Sequence, residues 1–280
     1  MPPRSSPINA VQKACRILSS LSGAESARLT EIATATSLNK ATALRILDTL
    51  AKEGFVSRDE SAKTWALGEE AYILAAAASR GDMVRTQARP SLMRLAATSQ
   101  DTVLLSIRRG TQSVCVDREI GDYPIRANYL DIGVRRPLGV GAGSLALLAW
   151  LPDPEIEAIL QLVKSQLSRY PKVTLRWVQD EIQRSRERGY TLILDRIVER
   201  MGGVGVPILA GDGRPIAALS IAALSERISA RLEILAGALR KEVEIIANLR
   251  QEPQRRDADS AEDTDTGKKK ARATAKRAAR

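Results

Sequence analysis

The stretch SLNKATALRILDTL, Ser37–Leu50, decides how the rest of the chain is read. Ala43, Leu47 and Leu50 recur at three- and four-residue intervals, the spacing that buries one face of a helix. Lys40, Thr42 and Arg45 fall off that stripe near the helix start, either as a solvated face or as groups placed to touch something. Gly54 closes this helix as its C′ residue. Upstream, LTEIATAT (Leu29–Thr36) predicts a short second helix with Thr30 as N-cap and Leu29, Ile32 and Ala33 inward. A first helix over Ile8–Leu21 carries Ile8, Val11, Ala14, Cys15, Leu18 and Leu21 at helical spacing and ends at Ser22-Gly23. Downstream, Phe55-Val56 and Thr64–Leu67 read as strands joined by the polar turn Asp59–Ala62.

Three helices followed by a two-stranded wing is the winged helix-turn-helix layout, in which the third helix enters the DNA major groove by its N-terminal residues. That order turns a charged face into a candidate site. Arg45 can fork onto guanine O6 and N7, Thr42 can reach a base edge or a thymine methyl, and Lys40 meets phosphate. Ala41 belongs to the same face, and Leu44, read as exposed there, can contact a thymine methyl. Arg58 and Lys63 on the wing reach the backbone or the minor groove.

Gly68 opens an alanine-rich segment, EEAYILAAAASRG, that ends at Gly81 and reads as a linker helix. The next helix, MVRTQARPSLMRLAATS, contains Pro90, expected as a kink or as its true start. From Asp101 the apolar period changes to two. TVLLSIRRGTQSVCVDREI is an antiparallel hairpin turning at Gly110, and PIRANYL predicts a further strand. Helices follow near SLALLAWL, PEIEAILQLV and LRWVQDEIQRSRERGY, the last stopped by Gly189. TLILD, GGVGVPILA and RPIAALSIAAL read as strands, the last two joined at Gly211-Asp212-Gly213, and Ser225–Leu249 as one long closing helix. Helices on one side of a mostly antiparallel sheet make an α+β architecture. Residues 252–280 turn acidic and then Lys/Arg/Ala-rich, which predicts disorder.

Composition narrows the function. The chain has 280 residues, 44% of them hydrophobic and only 3% aromatic, enough for one large or two ordinary domains packed with Leu, Ile, Val and Ala. The net charge of +10 is mostly a property of the tail, where seven basic residues and no acid lie between Thr266 and Arg280. No apolar run reaches the ~18 residues of a membrane span, and Gln12, Lys13 and Arg16 break the N-terminal apolar run, so no signal peptide is read. Two lone cysteines, Cys15 and Cys115, make no disulfide framework and fit a cytoplasmic setting. The absence of histidine excludes Ser–His and Cys–His nucleophile activation and an HExxH zinc site. No cofactor loop or metal motif is visible, so an enzyme is not expected. A second reading is a nonspecific nucleic-acid-binding or architectural protein that uses the basic tail.

The order of these segments resembles the IclR-type bacterial transcriptional regulators. The resemblance runs from AVQKACRILSSLS through LTEIATATSLNKATALRILDTLAKEGFV and TWALGEEAYILA. It resumes in ARPSLMRLAATSQDTVLLSI, GVRRPLGVGAGSLALLAWLP, RERGY and VGVPILAGDGRPIAALSIAAL. It implies a winged helix-turn-helix DNA-binding domain over 1–67, a linker helix over 68–81 and a GAF-like α/β effector-binding domain with an antiparallel sheet over 82–251. It further implies a homodimer or tetramer on a palindromic double-stranded operator, most often a repressor, with a small organic acid as effector. The linker helix would carry the effector signal to the recognition helices.

By the same resemblance the effector pocket is matched by Gly141, Ala142 and Gly143 on one side and by Gly203 and the strand Ser220–Ala222 on the other. VGAGSLAL has a physical reason to bind a carboxylate, since backbone N–H groups at a glycine-rich turn opening a helix favour an anion. A glycine-rich turn needed only for backbone shape is the alternative. The chain departs from its relatives, which often carry Cys at Gly203, a second Ser at Ala222, Lys or Arg at Leu145, and acids within LDRIVER. These losses predict an effector larger and more apolar than glyoxylate or pyruvate, an aromatic or cyclic carboxylate, with Arg135 or Arg136 to pair its charge.

Overall fold

Asn9 begins the first helix, α1 (Ala10–Leu21), by accepting the Gln12 N–H at 2.8 Å, while Gln12 Oε1 accepts the Asn9 N–H at 3.0 Å. Reciprocal capping of this kind satisfies two orphan donors at once. The computed structural model describes residues 9–23, 25–79, 83–126 and 130–249. The buried side of α1 centres on Ile17 and Leu21, whereas Val11 and Cys15, expected inward, are exposed. Both lie away from that line around the helix, on the edge of its stripe.

Helix α2 (Leu29–Thr36) starts one residue before the expected cap: Arg28 is its N-cap, its backbone N–H donating to Glu31 at 2.7 Å, and Thr30 is helical. Ser37, in the left-handed conformation at φ 56°, turns the chain into α3 (Lys40–Lys52). Gly54 takes φ 75° just past its end. Strands β2 (Val56–Asp59) and β3 (Thr64–Leu67) form the wing, and β1 (Ala27–Arg28) pairs with β3 on its other edge. The wing is therefore three-stranded where two strands were expected; β1 is too short to show as an alternating pattern. Ile17, Leu21, Ile32, Ala33, Ala43, Leu47, Val56 and Trp65 make one core.

Helix α4 (Glu69–Ser79) follows, and the expected stop at Gly81 lies outside the described residues. Pro90 sits inside α5 (Met83–Ser99), not at its start; it is exposed, so its ring and missing N–H fall on the solvent side. Strands β4 (Thr102–Arg109), β5 (Gln112–Glu119) and β6 (Arg135–Pro137) lead to α6 (Ala142–Ala149), α7 (Asp153–Leu167) and α8 (Leu175–Arg188). Strands β7 (Thr191–Leu194), β8 (Met201–Leu209) and β9 (Pro215–Leu224) complete a six-stranded antiparallel sheet of order β6-β5-β4-β9-β8-β7. Pro124–Arg126 are not strand and 127–129 lie outside the described residues; the strand beside β5 is β6 instead, fixed by pairing Ser113 with Arg136. The closing helix is two, α9 (Ser225–Ala230) and α10 (232–249), broken at Arg231, whose guanidinium joins that of Arg227 on the buried Asp101 carboxylate. The tail expected to be disordered is outside the described residues.

Helices cover both faces of the sheet, not one. Leu92 and Leu95 of α5 and Leu235 and Leu239 of α10 pack on Val103, Leu105, Val206, Leu219 and Ile221. The opposite face carries α6, α7 and α8 through Leu145, Leu148, Ile159 and Val178. Strands β7, β8 and β9 are accordingly apolar almost throughout, which masks their two-sided burial in the sequence. Glu155 at the start of α7 ties that layer to the sheet: it accepts Arg108 Nη1 at 2.6 Å and also pairs with Arg214. The Arg108 hydrogen bond is the main reason its carboxyl is held below the usual range.

Leu47 is fully buried and Arg45 exposed on the same helix. Leu47→Ala is expected to cost about 2–5 kcal/mol of stability, and Arg45→Ala to stay within about 0.5 kcal/mol. Amide hydrogen exchange across residues 10–67 checks both.

Candidate DNA interface and effector cavity

The N-terminus of α3 is built by Asn39, whose Oδ1 accepts the Thr42 N–H at 2.8 Å. This cap fixes the first turn and presents Lys40, Ala41 and Arg45 to solvent, with Thr42 half-buried beside them. Leu44 does not share that exposure. It is half-buried and packs against the core of the N-terminal helices, because it lies one residue from the Ala43 side of the stripe. On the wing, Arg58 lies over the Trp65 ring at 5.3 Å and reaches Glu60 at 3.3 Å, so its guanidinium is held between β3 and the turn. Lys63 occupies the turn at φ 54° and is exposed. The turn is organised by a residue that sequence reasoning gave no role. Asp59 accepts the Ser61 hydroxyl at 2.6 Å and the Ser61 and Ala62 N–H groups at 2.8 and 2.9 Å, and the hydroxyl bond first, then the two amides, hold its carboxyl below the usual range.

In the second unit, Gly141, Ala142, Gly143, Gly203, Ser220 and Ala222 line one cavity of about 50 Å³, between the start of α6 and the sheet face formed by β4, β5, β8 and β9. Gly141 precedes α6 at φ 105° and ψ 148°, a conformation open to glycine alone, and this aims the first turn of the helix into the cavity. The N–H groups of that turn have no carbonyl four residues back within the helix, and its residues line the cavity, so the positive end of the helix dipole lies at it. Thr191 Oγ1 donates to the Ala142 carbonyl at 2.8 Å and locks α6 onto β7.

Arg136 lines the cavity, whereas Arg135 points to the other side of β6 and is exposed. Ser106, Ser113 and Ser220 add hydroxyls, and Leu104, Ile193, Ile197, Met201 and Ala222 supply an apolar wall. Leu145 is not part of that wall. It is fully buried in the helical layer, away from the cavity lining. The arrangement suits a small anion with an apolar body: donors and a cation at one end, aliphatic side chains at the other.

The family model for the bacterial transcriptional regulator IclR C-terminal region matches residues 76–248, and the IclR helix-turn-helix domain matches residues 10–60.

The chain belongs to the IclR family of transcriptional regulators.

Its family is one of regulators, not enzymes. The chain is 29% identical over 208 residues to the HTH-type transcriptional regulator KipR of Bacillus subtilis, covering 72% of this chain and 80% of that protein. It shares the fold of an IclR transcriptional regulator from Alicyclobacillus acidocaldarius (TM-score 0.71, 24% identity, 87% of this chain and 99% of that one). It also shares the fold of an IclR homologue from Microbacterium hydrocarbonoxydans, solved in complex with 4-hydroxybenzoate (TM-score 0.69, 20% identity, 86% and 98%). No helix among the described residues is long and apolar enough to cross a membrane.

Ser106, Ser113, Ile193 and Met201 join this IclR cavity without having been singled out in the sequence, and Cys115, read there only for its redox setting, joins them. Nothing local marks them, since each is one more small or apolar residue in a strand or at its end. Cys115 is buried at the cavity wall, and burial pushes its thiol up to about 12. It is therefore a slowly reacting lining group at neutral pH. In a Cys15→Ser background its alkylation rate is expected to climb steadily from pH 7 to 10, with no plateau near the ~8.5 of an ordinary thiol. A plateau there, read by mass spectrometry, counts against this placement.

Proposed function

We propose that this IclR-family chain is an effector-controlled repressor of the cytoplasm that reads a palindromic double-stranded operator. Residues 1–67 serve as its DNA-binding domain, 68–81 as linker helix and 82–251 as effector domain. The observation that carries the DNA reading is the capped start of α3, where Lys40, Ala41, Thr42 and Arg45 form one accessible face. Arg45 reads a guanine, Thr42 a neighbouring base and Lys40 a phosphate; Arg58 and Lys63 engage the flanking backbone. Leu44 takes part only through its outer edge. Dimerisation is supported by Tyr72, Ile73 and Leu74 of α4, all exposed apolar side chains on one helix.

The effector is a small organic acid held by Gly141, Ala142, Gly143, Gly203, Ser220 and Ala222. Its carboxylate lies at the N-terminus of α6 with Arg136, and its body on the apolar wall. The aliphatic lining and the missing polar groups at Gly203 and Ala222 favour an aromatic or cyclic carboxylate. The 4-hydroxybenzoate held by the Microbacterium hydrocarbonoxydans homologue is of that class. A space of about 50 Å³ holds only a few waters, so a ring enters by moving side chains such as Met201 and Ile197. Ligand shifts the regulator only by the difference between its affinities for the two states.

Two experiments test this reading. DNase protection on DNA flanking the protein's own gene is expected to show a bounded, palindromic footprint that the Thr42→Ala, Arg45→Ala double variant loses. Diffuse protection surviving the double change would move the DNA contacts to the basic stretch 266–280 and favour an architectural role. Calorimetric titration is expected to show benzoate-type acids binding at least about tenfold more tightly than pyruvate or glyoxylate, a difference of about 1.4 kcal/mol. The reverse order sinks the aromatic effector.

A further inference from the structure

One short segment borders both the effector cavity and the N-terminal helices. Val134 and Arg136 line the cavity. Arg135, between them, lines a separate open cleft with Gln112 of the sheet and with Cys15, Arg16 and Ser19 of α1. This is the side-chain alternation of a strand, with one face turned to each compartment. The segment is fastened to the cavity side by β5: Gly133 N–H donates to the Cys115 carbonyl at 2.8 Å, and Cys115 N–H donates to the Val134 carbonyl at 3.1 Å. On the other side it abuts the end of α1. Ser22 Oγ donates to the Gly133 carbonyl at 3.4 Å, and any Cβ on Gly133, which sits at φ 86°, would collide with the Ser22 carbonyl. A Cβ on Gly23 would stand 3.6 Å from Val134 Cα. The Ser22 carbonyl and the Gly133 backbone meet directly here, with only the small Ser22 side chain and the Val134 methyls beside them.

We propose that residues 131–136 are a latch by which the contents of the effector cavity set how α1 docks, and with it the recognition helix, by a route separate from the linker helix. This rests on the effector reading above. A ligand that displaces Val134 or Arg136 moves Gly133 against Ser22, and the close approach passes that movement to α1. The coupling is reciprocal, so a change at the α1 side alters the cavity.

The chain's two cysteines stand on opposite sides of this latch, Cys115 in the cavity and Cys15 in the cleft. Their rates of modification by methyl methanethiosulfonate, followed by mass spectrometry on the full chain, report both compartments together. With benzoate as probe, Cys115 is expected to be protected and the Cys15 rate to change about fivefold, the lower end of usual coupling between sites. Protection of Cys115 with an unchanged Cys15 rate overturns the latch and leaves the effector site standing. If benzoate does not protect Cys115, the aromatic-acid reading fails, and the latch is decided by Gly23→Leu, a change made wholly on the α1 side. That variant, with its fold checked by circular dichroism, is expected to change the Cys115 rate about fivefold without any ligand. Ser22→Ala, which removes only the hydroxyl contact, is expected to act in the same direction and serves if Gly23→Leu does not fold. A wild-type Cys115 rate in the folded variant overturns the proposal.

Discussion

Strand β9 lies between β4 and β8, and its side chains alternate between two buried layers. Ala217, Leu219, Ile221 and Ala223 face α5 and α10, while Ala218, Ser220 and Ala222 face α6 and the cavity. Register is the constraint on which the rest of the second unit depends, because a slip of one residue would exchange the two sets. Leu219 would then enter the cavity and Ser220 the apolar layer, where its hydroxyl would need a new partner. The pairing of Leu104 with Ser220 and of Gly203 with Ala222 carries the same register into both neighbours. The cavity is thus a consequence of strand pairing. It opens where α6 begins and the residues facing it are small.

With so few aromatic residues, the seams between layers rely on arginine. Buried Asp101 is closed by Arg227 and Arg231 at the α9–α10 corner, Asp117 by Arg85 and Arg89 at the start of α5, and Glu181 by Arg188 within α8. Burying such pairs is weak evidence for added stability, since desolvation offsets much of the attraction. Their geometric effect is clearer. A guanidinium fork fixes both distance and angle, so these pairs set where α5, α9 and α10 meet the sheet.

Periodicity made most of the elements legible. The thirteen-residue helix α3, both hairpins and the Gly189 stop fall where spacing and turn chemistry place them. What it misjudged shares a physical cause. Val11, Cys15 and Leu44 are apolar and at plausible spacing, but which edge of a stripe is covered depends on the angle at which a neighbour crosses. The two-residue strand β1, the three-residue strand β6 and the break at Arg231 are too short, or too dependent on distant partners, to carry a local pattern. Helices on both faces were hidden for a related reason: a strand buried on two sides loses its alternation.

Taken alone, the sequence determined the family's order of elements, the polar face of α3 and the glycine turn before α6, because these are local matters of spacing, capping and backbone freedom. Only the tertiary structure decided that Gly203, Ser220 and Ala222 share a cavity with Gly141–Gly143. It likewise decided that Arg136 and not Arg135 faces it, and that Cys115 and Ser106 complete its wall. Those outcomes depend on pairing between strands more than a hundred residues apart and on which face of β6 meets which compartment. A side chain's neighbours across a sheet are set by register, and register is a property of the fold.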